Sequence, residues 1–268
     1  MKKLFILLCA ISVLTAGSIF AADNSSSCSE NKTKIHKIKL FKKKKNNTNI
    51  NTLPDGAVMV KKPAIYLYPT ITTKVNVKLD KSIKYQTTIP VYKKKGWNVE
   101  AEPTGSLRDL QPNYTKCSNL PKKQFGLEYA QDACKYNKYP FIFWDGAPKD
   151  KVPAKSTGFI VAKEDIATFL ASKADEMQFS SDEKNDFVKY WAKEMRDANW
   201  SYYRVYFLQN EDVDMYIPIY VDPKPQSWNR IQIVISKGKK NEKITAQSLV
   251  PIKRDGFTLV EWGGMINK

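Results

Sequence analysis

Two acidic residues each stand beside a tryptophan at the end of an apolar segment. Trp144-Asp145 is followed by one glycine and Glu261-Trp262 by two. A pair of carboxylates can hydrolyse a glycosidic bond without histidine, and an indole ring offers a flat apolar surface to a sugar ring. These features make Asp145 and Glu261 candidate catalytic residues and Trp144 and Trp262 candidate binding residues. In the alternative interpretation, the indoles close the core and the acids are solvated or paired with lysines.

The histidine content excludes several kinds of active site. His36 is the only histidine, and it lies in a segment expected to be disordered. A Ser-His-Asp or Cys-His site within the fold is therefore excluded, as is a histidine-ligated metal site. The sequence also has no GxSxG motif, no GxGxxG motif and no phosphate-binding glycine loop. We expect neither a metal nor a cofactor.

The N-terminus has the pattern of a secretory signal. Lys2 and Lys3 precede an apolar stretch from Leu4 to about Leu14, and small residues lead to Ala22. The apolar core is about ten residues long, whereas a membrane-spanning helix needs about 20. We expect residues 1–22 to be removed, the protein to be exported to the periplasm or the extracellular space, and no transmembrane segment to remain. A retained N-terminal anchor is the alternative.

The cysteines fit an oxidising compartment. Cys117 and Cys134 stand at either end of a polar segment and are predicted to form a disulfide. In the chain-entropy description, closing a loop of this size stabilises the fold by about 3 kcal/mol. Cys28 lies in the tail and is left as a free thiol or an intermolecular partner.

The chain is strongly basic, with 44 Lys and Arg against 27 Asp and Glu and a net charge of +17. In an exported protein this charge favours anionic partners, namely glycan or lipid surfaces or, outside the cell, nucleic acid. Export itself excludes cytoplasmic nucleic acid as a target. Arg254, one of the few arginines, is a further candidate binding residue because a guanidinium recognises anionic groups with two parallel hydrogen bonds. The alternative is that lysine richness reflects genome composition.

The fold class predicted is α+β and β-rich, with antiparallel sheets or a sandwich and a helical pair near residues 163–197. The predicted organisation is a signal peptide at 1–22, a disordered basic tail or linker at 23–56, a small antiparallel β subdomain at 57–112, an irregular insertion with the cysteine pair at 113–138, and an α+β subdomain at 139–268.

The helical pair has a periodic apolar pattern and a start signal. Residues 163–177 place apolar side chains on one helical face. Ser180 and Glu183 then have the spacing of a capping box, which predicts that a second helix begins there.

Two local predictions concern strands. Residues 87–92 and 97–101 are expected to form a hairpin through a turn at 93–96. Residues 213–221 are expected to form one strand, and Pro218 within it indicates a sheet edge or a bulge.

Several motifs resemble a family of uncharacterised exported bacterial proteins. The resemblance covers residues 62–264 and implies an exported, single-unit, β-rich fold without indicating a mechanism. Asp145 departs from the family pattern, in which a longer Glu is expected, and residues 113–138 look like an insertion. The motifs follow one another in order: Lys62-Pro63-Ala64-Ile65-Tyr66-Leu67-Tyr68-Pro69 (KPxIYLYP in the family), Gly96-Trp97, Phe143-Trp144-Asp145-Gly146, Gly158-Phe159-Ile160-Val161, Tyr190-Trp191, and Gly256-Phe257 through Glu261-Trp262-Gly263-Gly264.

Two functions are compatible with these features. The first is an exported, envelope-associated or secreted protein that binds anionic envelope or host material. The second is a carboxylate-based hydrolase without histidine, acting on glycans through Asp145 and Glu261. The two acids must face one cleft, about 5–9.5 Å apart, for the second to hold.

Overall fold

The computed structural model describes residues 58–120 and 130–267. The predicted signal peptide at 1–22 and the tail at 23–56, including Cys28 and His36, lie outside the described residues. The described residues belong to one compact unit, residues 47–268.

Eight strands form the larger sheet, in the order β11-β7-β8-β10-β12-β1-β6-β3. Most neighbouring strands are antiparallel, but β10 and β11 run parallel to β12 and β7 respectively. The strands are β1 Lys61–Tyr68, β3 Lys84–Ile89, β6 Ile142–Ala147, β7 Thr157–Ala162, β8 Tyr202–Gln209, β10 Ser227–Lys237, β11 Thr245–Ala246 and β12 Thr258–Asn267.

Four strands form the smaller, antiparallel sheet, in the order β5-β4-β2-β9. They are β2 Thr73–Leu79, β4 Trp97–Ala101, β5 Leu107–Asp109 and β9 Ile219–Asp222. The strands of residues 57–112 are therefore shared between both sheets. The predicted α+β, β-rich fold with antiparallel sheets is confirmed.

The helices are α1 Ala130–Tyr136, α2 Ile166–Glu176, α3 Ser181–Ala198 and α4 Glu211–Tyr216, with short 3-10 helices at Tyr114–Asn119 and Lys163–Asp165. The predicted helical pair corresponds to α2 and α3. The capping box is present, because the Ser180 side chain accepts from the Glu183 amide and the Glu183 side chain accepts from the Ser180 amide. The buried side of α3 carries Phe187, Trp191 and Met195.

The larger sheet has two different faces. Residues paired across neighbouring strands point to the same face of the sheet, and successive residues along one strand point to opposite faces. Trp262 packs edge-on against Phe187 of α3, at a centroid distance of 5.6 Å. The face that carries Trp262 is called the helix-covered face. The other carries Arg230, whose Nη1 donates to the Ile217 carbonyl just after α4, and is called the Arg230 face.

Two local predictions were wrong. Strands β3 and β4 do not form a hairpin, because β3 pairs with β6 in the larger sheet and β4 with β2 and β5 in the smaller one. Residues 213–221 do not form one strand either. Their first half belongs to α4 and only the residues beyond Pro218 form β9, which is an edge strand.

The predicted disulfide is present. Cys117 in the first 3-10 helix bonds to Cys134 in α1, with their Cα atoms 5.5 Å apart. Among the residues with a described position, no helix has both the length and the hydropathy needed to cross a membrane.

Candidate functional site

The two candidate catalytic acids lie on opposite faces of the larger sheet. Glu261 is opposite Ile65 of β1, which is in turn opposite Ile142 of β6. Asp145 is three positions beyond Ile142 on the same strand, so alternation places it on the other face. Consistently, Asp145 interacts electrostatically with Tyr190 of α3 on the helix-covered face. The structure therefore does not bring the acids into one cleft, and the prediction of a paired acid and base is not supported.

Glu261 is part of a buried ion network on the Arg230 face. Both Glu261 and Arg230 have fully buried side chains and are in contact through the guanidinium Nε. Arg230 Nη1 also lies 2.6 Å from an Asp214 carboxylate oxygen at the edge of this network. The Glu261 carboxylate has no exposed surface and is closed to substrate, and removing either partner would leave the other charge buried and unpaired.

Asp145 is half-buried and accepts a hydrogen bond from the Thr87 amide, at 2.7 Å. Burial raises its pKa, while the hydrogen bonds from Thr87 oppose the shift. This carboxylate ties β6 to β3 across a bulge in their pairing.

The two candidate binding tryptophans are core residues. Trp144 and Trp262 have no exposed surface, so neither ring can stack on a ligand at the surface and their predicted binding role is not supported. The glycines after Trp262 have a packing reason. A Cβ at Gly264 would stand 2.8 Å from the Trp191 ring of α3, and a Cβ at Gly263 would stand 2.9 Å from Pro63. The two glycines leave room for Trp191 of α3 and for Pro63 of β1, so close packing within the protein explains them without a ligand.

Arg254 is held by the capping box of α3. Its Nη2 donates to Glu183 Oε2 at 2.6 Å, and its guanidinium stands 5.7 Å from the centre of the Tyr68 ring. Tyr68 donates to the other Glu183 oxygen, at 2.9 Å. Arg254 is therefore engaged within the protein, although about a third of its side chain is exposed.

A basic groove, not identified from the sequence, runs between the edge strands of the two sheets. It has a volume of about 560 Å³ and is called the Tyr220 groove. Three exposed lysines and three tyrosines contribute to its lining: Lys78, Lys81, Lys94, Tyr85, Tyr92 and Tyr220. Tyr220 is 58% exposed, so its ring face is open to solvent. Within the described part of the chain, none of the three lysines forms a salt bridge or donates a side-chain hydrogen bond.

The single acid of the groove is already satisfied. Asp80 accepts hydrogen bonds from the Ser82 hydroxyl at 2.6 Å and the Ser82 amide at 2.9 Å, and from the Tyr220 hydroxyl at 2.9 Å. These hydrogen bonds, that of the Ser82 side chain first, lower the pKa of Asp80 to about 2. The walls are rigid too, because the Tyr92 ring packs edge-on against Trp97 at 4.5 Å and its hydroxyl accepts from the Leu79 amide. In the sequence, Lys74 and Lys78 alternate with Val75, Val77 and Leu79 in β2, which indicates a strand with one solvent-facing side. This pattern was the one sequence signal for the groove.

A second concavity lies at the N-terminal end of α3 on the helix-covered face. It has a volume of about 430 Å³ and is called the Asp186 cleft. Tyr66, Tyr68, Tyr139 and Asp186 contribute to its walls, and the Tyr66 hydroxyl donates to Asp186 at 3.2 Å. Tyr66 packs against Phe141 and Trp262, and the buried Lys62 lies over the same two rings. Nothing in the sequence distinguishes Lys62 from the many other lysines, so its burial was not predicted.

No protein-family model matches the chain, and no curated protein and no solved structure is significantly similar to it. Membership of the family of exported proteins that residues 62–264 resemble therefore stays a prediction. Residues 58–120 and 130–267 contain no cluster of three or more acidic or cysteine side chains placed to hold a metal ion.

Proposed function

We propose that the protein is an exported binding protein that holds an anionic glycan in the Tyr220 groove. The observation that carries the proposal is the set of three exposed lysines, without ion pairs in the described structure, around a groove with tyrosine rings. Lysines without a salt bridge present their charge to a ligand, although Lys81 also lies near Asp80, and the exposed Tyr220 ring presents flat apolar surface to the face of a sugar ring.

The groove favours a glycan over a flat lipid surface. Its tyrosines and lysines line a concavity about 560 Å³ in volume, which can surround a short run of sugar units. Attraction to an anionic membrane surface instead comes from clusters of several lysines or arginines in a segment that lies along the bilayer. The predicted signal peptide and the disulfide fit a protein that meets such ligands outside the cytoplasm.

The test is calorimetric binding of a heparin hexasaccharide to the full chain and to two charge-matched variants. Replacing Lys78, Lys81 and Lys94 by Gln should weaken binding about tenfold, since each exposed charge contact contributes about 0.5 kcal/mol. The control variant carries Lys151→Gln, Lys224→Gln and Lys240→Gln, at exposed lysines outside the groove, and should change affinity less than twofold. Equal losses in the two variants would show that binding follows net charge alone and would contradict the groove.

A tyrosine variant separates glycan from lipid. Tyr220→Ala should weaken heparin binding several-fold because it removes the stacking ring, whereas Tyr136→Ala, which removes another exposed ring, should not. Neither variant should bind vesicles of 20% phosphatidylserine differently from the parent chain. If vesicle binding is tighter than heparin binding and depends on Lys78, Lys81 and Lys94, the ligand is a membrane surface and the glycan proposal fails.

A further inference from the structure

Lys62 is a lysine buried in an aromatic cage. Its side chain is 1% exposed. The Nζ atom lies 4.6 Å from the centre of the Trp262 ring, 5.1 Å from that of Tyr190 and 5.7 Å from that of Phe141. Among the described residues it has no hydrogen-bond partner. Burying an ammonium without hydrogen bonds is costly even when aromatic faces surround it, so this environment makes the amine easier to deprotonate than that of an exposed lysine.

A β-bulge directs Lys62 into the cage. Lys61 is opposite Gly264 and Ala64 is opposite Trp262, so β1 has one residue more than β12 between these pairs. The extra residue lets two consecutive lysines face α3: Lys61 reaches Glu194 at 2.5 Å while Lys62 enters the cage. Lys62 has a φ of +49°, a left-handed conformation that costs a non-glycine residue about 1–2 kcal/mol. Bulges of this kind are frequent where a strand must aim a functional side chain.

The cage and the Asp186 cleft share a wall. Tyr66 lines the cleft, and its ring lies 5.1 Å from Phe141 and 6.5 Å from Trp262, two of the rings around Lys62. The Tyr66 hydroxyl donates to Asp186. Tyr66 therefore lines the cleft and packs against two of the rings that surround the amine, so the cleft is the concavity next to the cage.

The amine and the neighbouring carboxyl shift toward their neutral forms. Burial lowers the pKa of Lys62 to about 8, with Asp186 opposing the shift and Lys189 adding to it. Burial raises the pKa of Asp186, against the opposing effects of Lys62 and of the hydrogen bond from Tyr66. Imine formation requires a neutral amine and a group that can give and take a proton, and both shifts are in the direction that favours this pairing.

We propose that Lys62 is a nucleophilic amine that forms an imine with small aldehydes or ketones entering through the Asp186 cleft, with Asp186 as the proton-transfer group. This activity goes beyond the glycan binding assigned to the Tyr220 groove and uses a different place in the fold.

Each step balances. The Nζ lone pair forms a bond to the carbonyl carbon while the C=O π pair moves to oxygen, which takes the proton of Asp186. The Asp186 carboxylate then removes a proton from the attacking nitrogen. In the second stage Asp186 returns this proton to the hydroxyl, the C–O bond breaks, water leaves and the nitrogen lone pair forms the C=N bond of a protonated imine. The Asp186 carboxylate then takes the remaining N–H proton, which gives the neutral imine and restores the protonated Asp186. The sum is one amine and one carbonyl compound giving one imine and one water.

The experiment is timed modification of the full chain by acetaldehyde at pH 7, with sodium borohydride fixing the imine as an ethyl group and peptide mass spectrometry locating it. At pH 7 an amine of pKa about 8 is about a tenth neutral, against less than about 0.1% for an ordinary lysine. Burial slows the access of acetaldehyde to Lys62, so the ratio of rates should be smaller than the ratio of neutral fractions. We expect Lys62 to be modified about tenfold faster than the exposed Lys224 and Lys240 in the same sample. In 8 M urea the preference should vanish. A rate no greater than that of the exposed lysines, or a preference that survives urea, would overturn the proposal.

The Asp186→Asn variant tests the proton transfer. Removing this negative charge makes Lys62 easier to deprotonate, so a merely low-pKa amine would react faster. Loss of the proton-transfer group should instead slow modification of Lys62 several-fold, while Lys224 and Lys240 stay unchanged. Asp182→Asn, which removes another carboxylate of the same cleft, should leave the Lys62 rate within twofold of the parent. An unchanged or faster rate in Asp186→Asn would overturn the role of Asp186.

Discussion

At the scale of single residues, burial gives Lys62 a proton affinity that differs between the folded and the unfolded chain. Its pKa is about 8 in the fold and about 10.4 in an unfolded chain. Between these values the unfolded state binds more protons, so the free energy of unfolding rises with pH across this window, by about 3 kcal/mol in all. Below pH 8 both states are protonated and the contribution is constant. The charged and titratable groups facing the amine are Asp186, Lys189 and Tyr190.

The variant Lys62→Met should lack this dependence. We expect the free energy of unfolding of the parent chain, minus that of the variant, to rise by about 2 kcal/mol between pH 7.5 and pH 10. Urea unfolding followed by circular dichroism at half-unit pH steps measures both free energies. Tyrosines ionise in the unfolded chain near pH 10 and lower the free energy of unfolding of both proteins, so subtracting the value of the variant from that of the parent cancels their effect. Lys224→Met serves as the control for an exposed lysine. Parallel pH curves for the parent and Lys62→Met would show that Lys62 keeps its ordinary proton affinity.

Residue type and spacing identified the groups capable of chemistry but not the face each group occupies. Asp145 and Glu261 both follow buried strand segments, and only the register of β12, β1 and β6 decides that they point in opposite directions. A shift of one residue would place them on the same face. Lys62 was missed for a related reason, since the bulge that turns it inward depends on the length of the partner strand between Trp262 and Gly264.

At the scale of elements, the capping box links the start of α3 to its surroundings. The Ser180 side chain accepts from the Glu183 amide, and Glu183 in turn binds Tyr68 and Arg254. Ser180→Ala leaves one amide at the helix N-terminus without this partner and should lower the free energy of unfolding by about 1 kcal/mol. Thermal or urea unfolding measures the change. Ser201→Ala, at an exposed bend, should change stability by less than about 0.5 kcal/mol. Equal effects would mean that the cap contributes nothing.

The elements that could be predicted were those with local signals. The helical pair has its own periodicity and its own start signal, so α2 and α3 lie where the sequence places them. The hairpin expected at 87–101 failed because nothing local distinguishes two strands that pair with each other from two that enter different sheets. The segment 213–221 is apolar enough for a strand, yet its first half forms α4, where Val213 is buried and Asp214 reaches Arg230.

At the scale of the whole molecule, the basic charge and the folded architecture meet in one place. A net charge of +17 predicts attraction to anions without saying where they bind. We propose that the groove between the two sheet edges is that place, because it gathers three lysines and the exposed Tyr220 in a concavity. The lining of the Asp186 cleft, by contrast, contains Asp182 and Asp186 with a single lysine, Lys138, among the described residues, and so does not gather positive charge.

The compartment determines whether the disulfide forms. Because Cys117–Cys134 closes a loop of 17 positions, its formation should raise the free energy of unfolding by about 3 kcal/mol. We expect the chain made with residues 1–22 and recovered from the bacterial periplasm to resist alkylation at both cysteines. The chain made from residue 23 onward in a reducing cytoplasm should be alkylated at both and be less stable by that amount. Cys28→Ala removes a thiol without opening the loop and should change neither result. Alkylation of Cys117 and Cys134 in the exported chain would mean that the protein folds without the disulfide. The prediction of an oxidising compartment would then depend on the N-terminal segment alone.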